Sequence, residues 1–428
     1  MNTIALCSAI KEGALDTRLT ALYGGAAALG KQKERYLAAI GEFAALYGAD
    51  REVSLFSVSG RSELAGNHTD HNRGCVIAAS IDLDIIAVAS PTTDSIVRVK
   101  SEGFPEDVVD IADFDTPREA RFSKSDAIVA GMCAGLCRNG HKAGGFVAYT
   151  TSSVLKGSGL SSSAAFEVMI GNIENHFYNE GTVSNVEIAK IAQYAENAFF
   201  GKPCGLMDQM ACAVGGIIAI DFADNAAPVI EQVQFDITAA GYSLCIVNTG
   251  GNHADLTPDY AAVPAEMKAV AAALGKSVLR ESDEEALIAA IPALREQVGD
   301  RAILRALHFF AENRRVSAGK DALLSGDLDA FFAEVLASGR SSFNYLQNVY
   351  TTKNVAEQGL SLALCLSERY LGSKKAAFRV HGGGFAGTIQ AYVPTEDVAG
   401  YCALMDGVFG KGACMPLSIR AEGATRVC

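Results

Sequence analysis

The spacing of apolar residues changes several times along the chain, and each change predicts a different element. From Leu15 to Tyr47 these residues recur at helical spacing in an alanine-rich segment, with Gly48 near its end. Residues 53–58 and 76–99 are rich in Val, Ile and Ser, which is typical of strands. The chain is therefore expected to begin with helices and then to enter a sheet.

A strand, a glycine-rich loop and a helix are predicted next. GFVAYTTS, which starts at Gly145, has strand composition, and the following VLKGSG predicts a loop. SSSAAFEVMIGNIENHF then has the small-residue start and the apolar spacing of a helix. Ser184 and Glu187 resemble a capping box for a helix that ends near Gly201, and residues 205–214 predict a further short helix.

The domain organisation follows from chain length and from a change of composition. With 428 residues the chain exceeds the size that one hydrophobic core usually serves. Strands predicted at 217–222 and 243–249 flank a segment rich in Asp, Ala and Pro. Downstream, the apolar spacing predicts helices at 261–274, 284–313 and 319–339. We therefore expect two domains, 1–240 and 241–428, the second of them α+β.

Charge and cysteine content narrow the expected partners. The chain has 36 Lys and Arg against 49 Asp and Glu, a net charge of −13 that would repel nucleic acid and anionic membranes. Eleven cysteines without framework spacing favour reduced thiols in the cytoplasm. Lys11 and Glu12 come too early for a signal peptide, and Asp82 and Asp84 interrupt the most apolar stretch. We expect small-molecule partners, no nucleic acid and no membrane.

Three glycine patterns could indicate a nucleotide site. The segment 25–32 has P-loop spacing, but Gln32 replaces the Ser or Thr that binds Mg²⁺, so a chance glycine pair in a helix is favoured. The segment 382–387 fits the dinucleotide fingerprint but precedes a predicted strand, TIQAYV, where a helix is required. KGSGLSSSA at 156–164 lies between a strand and a helix start, where free amides suit a triphosphate. On this loop alone, helix capping by Ser161 to Ser163 is an equally good interpretation.

A dense polar segment occupies residues 60–74, which we expect to lie between strands. His68 and His71, with Asp70 between them, could suggest a metal ion. Two imidazoles in an irregular loop have no fixed geometry and no third ligand is indicated, so a metal site is disfavoured. The mixture of carboxylate, amide and imidazole groups suits sugar recognition, although a polar turn without chemistry has the same composition. These residues alone leave both interpretations open.

Taken together, these segments resemble the galactokinase branch of the GHMP small-molecule kinases. Residues 60–74 are similar to that family's sugar-binding signature, KGSGLSSSAAFEV to its phosphate loop and RVHGGGFAGTIQAYV to its third motif. CGLMDQ at 204–209 resembles its catalytic Asp segment, and the four motifs follow the family's order. The resemblance implies a two-domain α+β GHMP kinase fold. Its N-terminal domain would combine a mixed sheet with helices, its C-terminal domain would be ferredoxin-like, and the active site would lie in the cleft between them.

The resemblance also implies an activity and its residues. A galactokinase-type sugar 1-kinase phosphorylates the anomeric C1 hydroxyl of galactose or a similar sugar, with ATP and Mg²⁺ as cofactors. Asp208 would face that hydroxyl, and Arg61 would lie beside the transferred phosphoryl group. Without the surrounding motifs, an Asp and an Arg at such positions are more often structural or solvated. The family resemblance further suggests a cytoplasmic monomer.

The remaining site residues are carried over from the same motifs. The sugar would contact Asn67, His68, Asp70, Gly205 and Tyr260. The nucleotide would bind to Gly157, Ser158, Gly159, Leu160, Ser161, Ser162, Ser163 and Ala164. Ser162 and Ser163 would lie near the metal ion.

The sequence departs from the family pattern mainly at the sugar signature. Asn67 stands where galactokinases carry a Glu that binds the C6 hydroxyl, and Glu63 stands at a family Asn position. His71 replaces the usual Tyr. Two alternatives follow, a kinase for another sugar such as galacturonate or a pentose, and a non-catalytic sugar sensor. Arg61 and Asp208 are both present, which favours the enzyme.

Overall fold

Two β-sheets with helices packed around them make up the protein. The computed structural model describes residues 1–113, 116–154, 159–202, 204–251 and 256–428. The α-helices are α1 Thr3–Lys11, α2 Asp16–Leu22, α3 Leu29–Tyr47, α4 Ser125–Arg138, α5 Ser162–Tyr178, α6 Asn185–Tyr194, α7 Met207–Val214, α8 Thr257–Ala273, α9 Glu284–Gln297, α10 Asp300–Ser325, α11 Leu328–Ser341, α12 Gly359–Leu371 and α13 Val398–Phe409. The strands are β1 Ser54–Ala65, β2 Cys75–Pro91, β3 Ile96–Ser101, β4 Glu106–Asp110, β5 Phe146–Ser152, β6 Ile217–Asp221, β7 Val229–Val233, β8 Tyr242–Asn248, β9 Ala377–Val380, β10 Thr388–Pro394, β11 Cys414–Leu417 and β12 Ala424–Arg426.

The first sheet is mixed and is covered by helices on both faces. Its strands follow the order β12-β1-β2-β5-β3-β4, with β6 paired to β2 and β7 to β6. Successive residues of a strand point to opposite faces. Leu55 accordingly packs in the core under helices α1 to α3, whereas Phe56 packs in the core under α4 to α7. Every residue of β1 is buried, so this strand carries its polar side chains inside the protein.

The second sheet is antiparallel, with the order β11-β8-β10-β9. Helices α12 and α13 cover one face, where Val247 and Ile389 are buried. The other face meets α10 and α11 in a core that contains Leu244 and Tyr392 and that also includes Leu64 of β1. This shared core holds the end of β1 beside the second sheet.

The predicted division at residue 240 falls between β7 and β8, but the second domain does not continue to residue 428. Strand β12 pairs with β1, and the Val427 amide donates to the Leu55 carbonyl at 2.7 Å. The buried carboxylate of Asp84 on β2 also forms ion pairs with the guanidinium groups of Arg35, at 2.5 Å, and of Arg420, at 3.2 Å. The C-terminal residues therefore return to the first sheet, which corrects the simple two-segment division.

Two groups of predicted boundaries are wrong in the second half of the chain. The helix expected at 284–313 breaks at Gly299, which has a φ of 82°, and the expected gap before residue 319 lies inside α10. A Cβ atom on residue 319 would lie 3.6 Å from Phe331, an ordinary packing distance, and Gly319 lies inside α10 without ending it. Among the described helices, none is long and apolar enough to cross a membrane.

Candidate active site

A polar cleft brings together the sugar signature, the catalytic Asp segment and the glycine turn after β9. Its lining combines side chains from β1, from the loop after β1 and from the start of α7. The lining residues are Arg61, Glu63, His68, Asp70, His71, Glu196, Lys202, Cys204, Gly205, Met207, Asp208, Tyr260, Gly382 and Gly383. Six of the seven predicted catalytic and substrate-binding residues are in this set. Asn67 is the exception.

Arg61 and Asp208 form the central ion pair of the cleft. Arg61 lies on β1 and is 6% exposed, and its Nε donates to Asp208 Oδ1 at 2.8 Å. A second guanidinium nitrogen donates to the carbonyl of Gly159. Ser161 Oγ donates to the other carboxylate oxygen of Asp208 at 2.6 Å. The predicted catalytic pair is therefore in direct contact with the predicted phosphate loop.

Asp208 stays ionised at pH values at which an ordinary carboxylate would already be protonated. Burial by itself would raise its pKa, but the charge of Arg61 and the hydrogen bonds from Ser161 and Arg61 outweigh that effect. The pKa of Asp208 is consequently lowered. Its carboxylate is still 37% exposed to the cleft, so it remains open to a substrate hydroxyl.

The start of α5 leaves backbone amides open toward this ion pair. Ser161 occupies the N-cap position with a φ of 59°, and no described side chain caps the helix there. Its hydroxyl is used by Asp208, which removes the simple helix-capping interpretation for this residue. Gly159, also in the left-handed region with a φ of 72°, turns the backbone just before it. Free N–H groups at a helix start are a favourable site for an anion.

The other predicted loop residues are only partly described. Leu160 is buried, and its carbonyl accepts a hydrogen bond from the Arg61 amide at 3.2 Å. Ser162 and Ser163 open α5 with exposed or half-buried side chains, and Ala164 is buried. The predicted ligands Gly157 and Ser158 lie outside the described residues.

Asp70 and Gly205 fit against each other. A Cβ atom on residue 205 would lie 1.8 Å from Asp70 Oδ2, so only glycine leaves room for this carboxylate. The other oxygen, Oδ1, accepts the amide of His71 at 2.9 Å. The close approach joins the sugar signature to the segment that carries Asp208.

Aromatic side chains form one wall of the cleft. His68 Nε2 lies 3.0 Å from the carbonyl of Gly383, and burial lowers the pKa of His68 to about 3. A neutral imidazole that donates from Nε2 keeps Nδ1 as an acceptor. The Tyr260 ring lies 5.3 Å from the His68 ring and directly over Gly383, where a Cβ atom would approach it to 2.4 Å.

Asn67 is buried behind the cleft and does not face it. Its Nδ2 donates to the Gly382 carbonyl at 2.7 Å and to Glu63 Oε1 at 3.1 Å. Its Oδ1 accepts from Asn348 at 2.8 Å and from Ser342 at 3.2 Å. The residue has 0% exposure, and both ends of its amide are occupied by protein groups. This geometry disagrees with the expectation that Asn67 contacts the sugar.

Glu63 supplies the carboxylate on this side of the cleft. Arg379, which is 0% exposed, donates to Glu63 Oε1 at 2.7 Å, and Glu63 itself lines the cleft. Its other oxygen, Oε2, has only a 3.5 Å contact with Asn67 among the described residues. Burial raises the pKa of Glu63, against the opposing charges of Arg379 and Arg61. One carboxylate oxygen is therefore held in place and the second keeps capacity to accept a hydrogen bond.

A second acidic group lies beside Asp208. Gln209 Nε2 donates to Glu167 at 3.0 Å and to Glu196 at 2.8 Å, while Lys202 pairs with Glu196 at 2.9 Å. Burial, and then the charge of Glu196, raise the pKa of Glu167 well above its usual value. Glu167 Oε1 is buried without a hydrogen-bond partner among the described atoms. This leaves an unsatisfied oxygen at the edge of the site.

Sequence reasoning did not assign site roles to Glu63, Glu196 or Lys202. Glu63 could have been found from strand periodicity, because it stands two residues after Arg61 and such residues share a face. Glu196 lies on a π-helical turn, Ala195–Phe200, and Lys202 lies on the segment after this turn. Their place in the cleft depends on a fold that brings this segment against Gln209, so the sequence carries no local signal for them.

Comparisons with known proteins agree with this geometry. The family model described as GHMP kinases N terminal domain matches residues 127–216, and the galactokinase galactose-binding signature matches residues 41–91. A galactokinase of Streptomyces coelicolor is 31% identical over 86% of this chain and 92% of its own length. The chain belongs to the galactokinase family. Human galactokinase is 30% identical over 89% of this chain and 94% of its own length.

Solved structures confirm the predicted GHMP kinase fold. The crystal structure of Lactococcus lactis galactokinase complexed with galactose superposes with a TM-score of 0.76 at 25% identity. The match covers 91% of this chain and 100% of that galactokinase. A mevalonate kinase shares the fold, with a TM-score of 0.61 at 13% identity over 86% of this chain and 99% of that one.

Proposed function

We propose that this galactokinase-family enzyme transfers the γ-phosphoryl group of ATP to the C1 hydroxyl of galactose, giving galactose 1-phosphate and ADP. The observation that carries the proposal is the contact of Asp208 with both Arg61 and Ser161. Through this contact the Asp208 carboxylate lies beside the part of the phosphate loop where α5 begins. Membership of the galactokinase family supports galactose as the acceptor.

The residues divide the reaction between positioning and charge stabilisation. The C1 oxygen attacks the γ-phosphorus, the bond to the β-phosphate oxygen breaks, and the hydroxyl proton passes to Asp208. A carboxylate with a lowered pKa is a weak base, so Asp208 mainly orients the hydroxyl and accepts its proton late. Arg61 balances the negative charge on the phosphoryl oxygens. The open amides at the start of α5 bind the phosphates.

Mg²⁺ fits this site as an ion shared between the protein and ATP. Among the described residues, no group of three or more His, Cys, Asp or Glu side chains could hold a metal. Kinases do not need such a cage, because one or two carboxylates, together with water molecules and the substrate phosphates, suffice. Ser162, Ser163 and Glu196 would hold the ion, near the unsatisfied oxygen of Glu167. When bound, it would neutralise charge on the β- and γ-phosphate oxygens.

Neither alternative activity gains support. The alternative of a different sugar rests on Asn67, which is buried away from the cleft. A silent sensor would not need Asp208 to be held between Arg61 and the phosphate loop. The monomeric state and the cytoplasmic location stay predictions.

A panel of sugars tests the proposed function directly. We expect purified protein with MgATP to release ADP with galactose and to do so far more slowly with galacturonate or arabinose. Coupled ADP release, with the sugar phosphate identified by NMR, is the measurement. Protein inert to galactose but active on the sugar acid or the pentose would refute galactose as substrate. Galactose binding in calorimetry without ADP release would indicate a sensor.

Glu63 is expected to bind a sugar hydroxyl at the end of the ring remote from C1. Arg61 and Glu63 are two residues apart on β1, so Glu63 lies one strand repeat farther from the phosphate loop. Replacing Glu63 by Gln should raise KM for galactose about ten- to a hundredfold with little change in kcat, because a hydrogen bond to a charged acceptor is lost. Steady-state kinetics provides the measurement.

Deoxy sugars provide the control for Glu63. The analogue that already lacks the bound hydroxyl, 4-deoxy- or 6-deoxygalactose, should show the same KM with the wild type and with Glu63→Gln. 2-Deoxygalactose should keep the full difference between the two proteins. An equal loss with all three analogues would mean that Glu63 acts only through the fold.

A further inference from the structure

Three cysteines from three different elements meet in the second domain, outside the residues that line the cleft. Cys245 lies on β8, Cys402 on α13 and Cys414 on β11. The Sγ atoms of Cys402 and Cys414 are 3.3 Å apart, and the Cys245 thiol hydrogen-bonds with both. These three cysteines are free thiols, as are the other eight of the chain. This cluster has no part in the proposed phosphoryl transfer.

The backbone around Cys414 is fixed to the helix that carries Cys402. Asp406 lies one turn after Cys402 on α13, and its carboxylate accepts the amide of Cys414 at 2.9 Å. The same carboxylate accepts the amide of Gly412 at 2.9 Å. On its other side, Cys414 is paired in register with Val247 of β8. The two thiols are therefore held together by main-chain contacts as well as by side-chain packing.

The three thiols differ in exposure and in ionisation. Cys402 is half-buried, Cys414 is 6% exposed and Cys245 is 0% exposed. Side-chain hydrogen bonding with Cys245 and with Cys414 lowers the pKa of Cys402, against burial and the charge of Asp406. The thiolate is the nucleophilic form of cysteine. Cys402 is thus the thiol of the cluster that is most accessible to an oxidant and that attacks it first.

We propose that Cys402 and Cys414 are a disulfide-forming site that is oxidised by hydroperoxides. The Cys402 thiolate attacks one peroxide oxygen, so an S–O bond forms, the O–O bond breaks and hydroxide leaves to become water. The Cys414 thiol then attacks the Cys402 sulfur. The S–S bond forms as the S–O bond breaks, and the second hydroxide takes the thiol proton as water. In total the two thiols lose two electrons, and one hydrogen peroxide molecule is reduced to two water molecules.

Geometry favours Cys414 over Cys245 as the second partner. An S–S bond is about 2 Å long, so the sulfurs of Cys402 and Cys414 need to approach by only about 1 Å. Cys414 begins the edge strand β11, next to the loop that starts at Gly410, so its strand is paired on one side only. Cys245 lies on β8, which is paired on both sides, so its backbone is held more firmly.

Peptide mapping of the full-length protein tests the site. Native protein treated with a small excess of hydrogen peroxide, alkylated and digested with trypsin should give a peptide pair joined through Cys402 and Cys414. Lys411 separates the two cysteines, so they fall on different tryptic peptides. We expect the loss of two free thiols and a rise of a few °C in Tm, both reversed by dithiothreitol, because the bond closes a short loop.

Single replacements identify the role of each thiol. Cys414→Ser should leave a sulfenic acid on Cys402 that dimedone traps, and Cys402→Ser should abolish the cross-link. Cys245→Ser and the exposed-site control Cys365→Ser should both retain it. Galactose-dependent ADP release is followed in parallel, so that a failure of the proposed kinase activity is recognised separately.

Two results would overturn the assignment. One is the absence of the Cys402–Cys414 peptide pair at a peroxide dose that already oxidises exposed Cys137 and Cys365. The other is a wild-type linkage between Cys402 and Cys245. Both are read from wild-type protein, so neither depends on whether a variant folds.

Discussion

Replacing Asp208 by Asn should reduce kcat by about two to four orders of magnitude, which is the usual range for the loss of a positioned acid or base. The amide of Asn keeps the size of the side chain. It has one acceptor oxygen in place of two, so it retains only part of the contact with Arg61 and Ser161. It also cannot take the proton of the C1 hydroxyl. Galactose binding should persist, because Glu63, His68 and Asp70 are unchanged.

Stopped-flow and steady-state ADP release, together with calorimetry of galactose binding, would measure the two effects separately. Asp300→Asn is the matched control, since Asp300 also lies in the first turn of a helix but is exposed and pairs with Arg295. It should leave kcat unchanged. A fully active Asp208→Asn enzyme would remove Asp208 from the mechanism.

Replacing Arg61 by Met should lower kcat/KM by roughly a hundred- to a thousandfold, as for the loss of a donor that stabilises transition-state charge. The same change should alter the pH dependence. In the wild type, Arg61 offsets the effect of burial and holds the pKa of Asp208 below its ordinary value. Without Arg61, burial is less opposed and this pKa rises, so Asp208 is protonated at a higher pH.

The acid limb of the pH profile of kcat/KM should therefore move to higher pH in Arg61→Met than in the wild type. Arg61→Lys keeps the positive charge but loses the two-sided contact with Asp208 and Gly159. Its acid limb should lie between those of the other two proteins. An acid limb that is identical in all three would show that Asp208 does not control the rate at low pH.

Much of the site could be predicted because its motifs are local. Arg61, His68, Asp70, Gly205 and Asp208 each stand within a short segment whose pattern is visible in the sequence. Six of the seven predicted catalytic and substrate-binding residues line one cleft. Fold class and motif order were also accessible, because strand, glycine loop and helix follow one another without long insertions.

The errors have a different physical origin. The polar character of residues 60–65 predicts a segment between strands, yet these residues belong to β1, which is buried along its whole length. Polar residues in such a strand are satisfied by distant partners, as Glu63 is by Arg379. The family resemblance places Asn67 at the sugar, but Ser342 and Asn348, which are far away in sequence, occupy its amide oxygen. No local pattern reveals these partners.

The return of β12 to β1 has a consequence for how the enzyme is made. Arg61 lies on a strand whose outer neighbour is formed by residues 424–426. On the next strand, buried Asp84 forms an ion pair with Arg420. A chain emerging from the ribosome exposes the first sheet long before these residues exist. Until they arrive, one edge of β1 lacks its hydrogen-bonding partners and Asp84 lacks one of its two cations. The strand that carries Arg61 is therefore completed only after residues 424–426 have been synthesised, and a shorter nascent chain that already holds Arg61 and Asp208 still lacks the outer neighbour of this strand.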